Sequence, residues 1–306
     1  MTQLSHVLLI KNPKSGQGNN SLEEFTQLLE AQGIALETRE LSHEVSCDAL
    51  LEDAQNFDAV IAAGGDGTVS AVAYALRNKG VPLFVFPAGT ANLIAQNLNL
   101  PSSADELLEV LLGGHTLLSD LGELEVNGEK KGFAMLAGAG LDAELIKASE
   151  DLKPHFGAFA YVLGALKQLI PRKQEFKLTL DGREMTLEGA SVMVANFGMA
   201  NFRLPITSDI DPADGLLTVV VLKGKSALTL LPTVIDSVRA KFNLGDPLFA
   251  DHLETYHCKH IRVETSPELP IQYDGESLES TTPFEARVLP KAIRFFTRET
   301  REEVKT

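Results

Sequence analysis

The run Gly64-Gly65-Asp66-Gly67-Thr68 is where side chains that can do chemistry first gather. Glycines let backbone amides come close to ligand oxygens, and a helix starting behind them adds partial positive charge. Ala59 to Ala63, just before, reads as a strand buried on both faces. Val69 to Leu76 reads as a helix with Thr68 as its N-cap. Strand, glycine turn and helix start together suit a polyphosphate. Asp66 would repel phosphate directly, a conflict that a bridging Mg2+ resolves. The competing reading is a plain strand-to-helix turn in which Asp66 bonds its own backbone. No Gly-Lys-Ser/Thr closes the run and no G-x-G-x-x-G follows the first strand, so neither familiar phosphate loop is present.

The elements around this run repeat its design. His6 to Ile10 reads as a first buried strand emptying into the polar loop Asn12-Pro13-Lys14-Ser15-Gly16-Gln17-Gly18. Ser21 with Glu24 forms a capping box for a helix that carries Leu22, Phe25, Leu28 and Leu29 on one face and closes at Gly33. Ile34 to Leu41 reads as a strand and Cys47 to Gln55 as a helix. Val81 to Phe86 is a further strand, whose exit loop Pro87-Ala88-Gly89-Thr90-Ala91-Asn92 opens a helix over 93–98. Ser103 caps a helix over 104–112 that stops at Gly113-Gly114. Alternating strand and helix predicts a parallel sheet with helices on both faces. Ligands of such sheets sit outside the carboxyl ends of the strands, where all three polar loops fall.

After Ser119 the pattern becomes mainly antiparallel. Asn127-Gly128 and Asp181-Gly182 read as hairpin turns, and Ser191 to Ala195, Leu216 to Leu222, His260 to Glu264 and Phe284 to Val288 as strands. The expected division is residues 1–119 plus a returning tail, 290–306, against a β-rich domain over 120–289. An apolar stretch, Phe156 to Ile170, reads as a helix that either packs in a core or lines an acyl-chain cleft. His252, His257, Cys258 and His260 cluster, but their spacing fits no usual zinc finger.

Acidic residues outnumber basic ones by 42 to 27, a net charge of −15, which argues against nucleic acid and against a polybasic membrane anchor. Two cysteines, Cys47 and Cys258, make no disulfide framework. No signal-peptide pattern opens the chain and no window approaches 18 apolar residues, so a cytoplasmic protein is expected.

Five motifs occur in order: Asn12-Pro13-Lys14-Ser15-Gly16, the central glycine run, Pro87 to Asn92, Asp211-Pro212-Ala213-Asp214-Gly215-Leu216-Leu217, and Tyr273-Asp274-Gly275-Glu276. Together they resemble the soluble bacterial diacylglycerol and lipid kinase family, related to sphingosine and ceramide kinases, over nearly the whole chain. The resemblance implies a nucleotide-binding α/β domain, a β-sandwich-like second domain, and an active site in the cleft between them. It implies transfer of the γ-phosphoryl of ATP, with Mg2+, to a hydroxyl of a diacylglycerol-like or sphingoid lipid met by transient, peripheral contact with a membrane.

By match to the family motifs, Gly64, Gly65, Asp66, Gly67 and Thr68 would hold the nucleotide phosphates, with Asn12, Gly16, Thr90 and Asn92 in neighbouring loops. Asp66 and Asp120 would belong to a magnesium network. Asp214, with the carbonyls of Asp211 and Leu216, resembles a second, structural Mg2+ site, against which stands a metal-free Asp-Pro and Asp-Gly turn. Asp274 would act as base, with Glu276 as metal-network partner or alternative base; on its own, Asp274-Gly275 would read as a β-turn. Leu93 departs from the pattern, standing where many relatives have aspartate. An NAD or other small-molecule kinase, and a non-catalytic lipid- or nucleotide-binding protein, are the rival readings. The sequence does not choose between a monomer and a homodimer.

Overall fold

The computed structural model of the chain describes residues 4–13, 19–42, 45–140, 174–198, 210–223 and 253–298. Lys14, Ser15 and Gly16, the stretch Phe156 to Ile170, and His252 lie outside the described residues. The chain divides into two compact units, Met1–Asp120 with Lys291–Thr306, and Leu121–Pro290.

The first unit is built on continuous apolar strands. In β1 (His6–Lys11) the four central residues are buried, and β3 (Ala59–Gly64) is buried throughout, as a strand covered on both faces must be. β2 (Ala35–Glu40) is largely exposed and forms the edge, while β4 (Leu83–Pro87) extends the other side. The order is β2-β1-β3-β4, all parallel, with Val7 beside Ala59 and Val60 beside Leu83. Phe295, near the end of the described chain, pairs with Leu83 and continues the sheet. Phe25 stacks on Phe84 at 5.6 Å between ring centroids, and Leu29, Leu107, Leu111 and Phe296 fill the same core.

The helices are α1 (Asn19–Ala31), α2 (Cys47–Leu50), α3 (Asp66–Leu76), α4 (Leu93–Asn97) and α5 (Ala104–Gly113). Ser103 caps α5 as expected, accepting from Glu106 N, and Gly114 ends it in the left-handed region. Three helix boundaries differ from the sequence expectation by more than one residue. α1 begins before Ser21, because no glycine or proline separates Asn19 from the capping box. The helix expected over Cys47 to Gln55 is one short turn capped by Ser46, followed by a 3-10 turn at Ala54–Asn56. α3 begins two residues before Thr68, with Gly65 as its cap and Val69 N donating to Gly65 O.

Asp58 fastens the start of the sheet. Its carboxylate accepts from Ser5 N at 2.7 Å, Ser5 Oγ at 2.8 Å and His6 N at 2.9 Å. The Ser5 and His6 amides hold its carboxyl below the usual carboxylate range. A lowered folded value contributes stability above the ordinary range, lost as pH falls through the lowered value. Asp58→Asn is therefore expected to destabilise the fold by about 1 kcal/mol at neutral pH. Chemical melts at several pH values should show that difference shrinking below about pH 4; a difference independent of pH would contradict it.

The second unit holds two antiparallel sheets. Its strands are β5 (Thr116–Val126, entering from the first unit), β6 (Glu129–Phe133), β7 (Leu136–Gly140), β8 (Gln174–Leu180), β9 (Arg183–Gly189), β10 (Ser191–Ala195), β11 (Leu217–Leu222), β12 (Leu253–Cys258), β13 (His260–Ser266), β14 (Pro270–Tyr273), β15 (Glu276–Thr281) and β16 (Phe284–Phe296). One sheet runs β16-β13-β8-β9, with β5 pairing β16 and β6; the other runs β12-β11-β10-β7-β14-β15. Phe133, Phe176, Val194, Val219, Ile261, Ile271 and Phe284 from both sheets share one core, the packing of a sandwich. Hairpins turn at Asn127-Gly128, Asp181-Gly182 and Asp274-Gly275, each with both residues at positive φ, the geometry that suits strand twist.

Candidate active site

The strand order adds what the sequence alone could not. From β1 the chain goes to one side for β2 and returns to the other side for β3, so the winding of the sheet reverses between β1 and β3. Open α/β sheets bind ligands at such a switch point, outside the carboxyl ends. Asn12 and Gly64 to Asp66 leave the sheet there, and Ala88 to Asn92 leave the next strand.

These three loop starts are tied to one another. Asn12 N donates to Ala63 O at 3.0 Å and Ala88 N to Gly64 O at 3.2 Å. Asn12 Nδ2 donates to Thr68 Oγ1 at 2.8 Å. Two glycines are needed here for close approach: a Cβ on Gly64 would lie 2.6 Å from Thr68 Cβ, and one on Gly89 would lie 2.5 Å from Gly65 Cα. Asn92, at φ 51°, staples its own loop, accepting from Gly89 N at 2.8 Å and donating to Gly89 O at 2.9 Å. Thr90 at the loop's tip is exposed.

Asp66 is the first residue of α3, and its Oδ1 accepts from Ile94 N at 2.9 Å. The carboxylate thus bonds a neighbouring helix start rather than its own turn. Oδ2 makes no bond among the described residues, so a ligand atom remains for a cation. Leu93 is half-buried at the head of α4, and its carbonyl accepts from Asn97 Nδ2. Asp120 is fully buried, and its Oδ1 accepts from Lys291 N at 2.6 Å. Among the described residues, no group of three or more His, Cys, Asp or Glu side chains is gathered around one point. Mg2+ does not require one, since it takes one or two carboxylates and completes its shell with phosphate oxygens and water.

In the second unit, Asp274 and Glu276 lie on the β14–β15 hairpin. Asp274 is 8% exposed, and its carboxylate accepts from three successive amides: Ala134 N at 2.8 Å, Met135 N at 2.9 Å and Leu136 N at 2.9 Å. Glu276 is exposed, with Tyr273 Oη donating to its Oε2 at 3.4 Å. Burial, with the nearby Glu276 and Asp274 charges, pushes the Tyr273 phenol up to about 12, so it stays a donor.

Asp211 and Asp214 are exposed and each closes a small turn, accepting from Ala213 N at 3.0 Å and Leu216 N at 2.8 Å. Leu216 is half-buried at the entry to β11. The described members of the histidine and cysteine cluster have separate partners: His257 Nδ1 lies 3.3 Å from Thr218 Oγ1, His260 pairs with Glu285, and Cys258 sits in the sandwich core, where burial pushes its thiol up to about 12.

Sequence reasoning passed over Asn196. It is 1% exposed, and its Nδ2 donates to Ala134 O at 3.0 Å, on the same segment that Asp274 holds. A lone asparagine after an apolar strand reads as a turn; only the fold brings it beside residues 134–136.

Residues 6–124 match the diacylglycerol kinase catalytic domain, and residues 136–297 match the YegS C-terminal NAD kinase beta sandwich-like domain. A diacylglycerol kinase of Mycobacterium tuberculosis (strain H37Rv) is 26% identical over 95% of this chain and 95% of its own. A probable lipid kinase YegS of Salmonella arizonae is 28% identical over 96% of both chains. A solved diacylglycerol kinase from Bacillus anthracis str. Sterne has a TM-score of 0.68 at 23% identity, covering 97% of this chain and 98% of that one. At that identity the structural likeness speaks for the fold.

Proposed function

Because the chain belongs to the diacylglycerol kinase and YegS-like lipid kinase family, we propose that it transfers the γ-phosphoryl group of ATP to a hydroxyl of a diacylglycerol-like or sphingoid lipid. The observation that carries this reading is the junction of three loops at the switch point between β1 and β3. Phosphoryl transfer asks a protein mainly for positioning and for charge neutralisation. The amides at the start of α3, with Asn12, Gly64, Gly65, Gly67, Thr68, Thr90 and Asn92 around them, suit the first task. For the second, Asp66 through Oδ2 would hold Mg2+, with Asp120 as a further member of its network; bound there, the ion would supply positive charge to the phosphates. Asp211, Asp214 and the Leu216 carbonyl would hold a second, structural ion.

The acceptor hydroxyl must lose its proton. Asp274 is the first choice from the motif, but its carboxylate already accepts from three successive amides, which takes up most of its acceptor positions. Glu276 is exposed and has one phenol partner, so it is the better proton acceptor. The NAD kinase reading loses ground because the N-terminal match is to a diacylglycerol kinase catalytic domain, and the other domain's name describes a sandwich.

Among the described residues, no helix is long and apolar enough to cross a membrane. With a net charge of −15, contact with the lipid surface is proposed to be peripheral and brief. The deciding experiment incubates the protein with γ-labelled ATP, Mg2+ and a total lipid extract, with NAD in a parallel reaction. A labelled phospholipid identified by mass is the expected product. Label on NAD alone would sink the lipid reading, and label on neither would leave a binding protein.

A further inference from the structure

The segment Ala134-Met135-Leu136 joins β6 to β7, and its backbone groups are held from two other elements. Ala134 N, Met135 N and Leu136 N all donate to the Asp274 carboxylate. Asp274 N donates back to Leu136 O at 2.9 Å. Ala134 O accepts from Asn196 Nδ2, and Met135 O from Asn196 N at 2.8 Å and Phe197 N at 3.2 Å. Each backbone donor and acceptor of these three residues therefore has a partner on Asn196, Phe197 or Asp274. A hairpin turn needs no such apparatus: Asn127-Gly128 makes the same turn, with both residues at positive φ, at an exposed position. At Asp274 the turn residue is buried and reaches back about 140 residues along the chain to three amides.

We propose that Asp274 and Asn196 are positioning residues of the transfer reaction, knotting residues 134–136 so that the Asp274-Gly275 turn presents Glu276 at one fixed setting. The proposal rests on the lipid kinase reading and assigns the pair a role distinct from proton transfer. The side chains make different demands. Asp274 must offer oxygens to three N–H groups, and Asn196 must offer an N–H to a carbonyl.

Asp274→Asn keeps one acceptor oxygen for Met135 and Leu136 but turns an NH2 toward Ala134 N. Asp274→Ala removes all the acceptors. Turnover on dioctanoylglycerol in mixed micelles with MgATP is expected to fall roughly tenfold for the first and on the order of 10²-fold or more for the second, the scale of a misplaced reacting group. The acid limb of the kcat profile against pH should survive in Asp274→Asn at reduced height. Asn196→Ala should also lower kcat roughly tenfold with its acid limb kept, and it carries the test should Asp274→Ala not fold. Amide hydrogen exchange supplies a readout independent of activity: residues 134–136 should exchange faster in Asp274→Ala and Asn196→Ala than in the unmodified chain.

Equal inactivity of Asp274→Asn and Asp274→Ala, with the acid limb gone, would make Asp274 the base and overturn the proposal. Unchanged exchange at 134–136 would overturn the knot itself. Failure of the unmodified chain to phosphorylate any lipid is a different result, and it would remove the function on which the proposal stands.

Discussion

Glu276→Gln is expected to lower turnover on a lipid acceptor by on the order of 10²- to 10⁴-fold, the usual contribution of a positioned general base. The substitution is close to isosteric. The new amide oxygen could still accept from Tyr273 Oη, whose phenol burial keeps protonated, so the hairpin should stay in place. Only proton acceptance is removed. Glu276 opens β15 at an exposed position and is not among the residues proposed to hold ATP, so ATP affinity is expected to stay unchanged. Single-turnover assays alongside nucleotide titration separate the two effects. Full turnover in Glu276→Gln would mean that the hydroxyl proton leaves by another route, with the phosphate oxygens themselves as takers. Loss of ATP affinity would mean that Glu276 serves a metal instead.

How far such assignments could be read from the sequence depends on whether the determining contact is local. The buried strands β1 and β3 announce themselves as unbroken apolar runs, because a strand covered on both faces has no polar side to alternate with. Ser103 caps α5 through its own third neighbour, which is also local. The order of the strands is not local: nothing in the sequence of β2 or β3 says which side of β1 it takes, and that choice creates the switch point. Asp66 and Gly67 look like loop residues, yet they form the first turn of α3, where Ile94 N holds the Asp66 carboxylate.

The strand expected over Phe284 to Val288 continues through Pro290 to Phe296 as β16, and within it Lys291 turns to φ 51° and gives its amide to Asp120. Asp274 shows both sides of the matter. Its turn with Gly275 was legible as an Asp-Gly pair, whereas the three amides it binds belong to another strand junction and become visible only once the sheet is assembled. Asn196 left no trace in the sequence for the same reason.

Gly89→Ala is expected to damage nucleotide binding more than the fold. Gly89 does not adopt positive φ, so alanine meets no backbone penalty there. The obstacle is steric: the new Cβ would lie 2.5 Å from Gly65 Cα, 2.9 Å from Asn92 Oδ1 and 3.2 Å from Gly65 N. Backbone cannot swing aside as a long side chain can, so the two loops must separate. Overpacking of this kind costs about 1–3 kcal/mol. Two outcomes are open to that strain. If the loops stay shut, it is borne by the folded state and the melting temperature falls. If they open, the fold is relieved, the Asn92 staple on Gly89 loosens, and the amides at the start of α3 lose their setting against the neighbouring loop. Opening is the easier course, because Thr90 and Ala91 are exposed and have solvent to move into, while β3 and β4 beneath them are close-packed. Carried over to binding, the same energy corresponds to roughly 5- to 140-fold weaker affinity for ATP, at about 1.4 kcal/mol per tenfold. Titration with a fluorescent ATP analogue, paired with a thermal melt of the same variant, reads both quantities. Unchanged affinity with a lowered melting temperature would show that the loops do not open and that their spacing is not what the nucleotide needs.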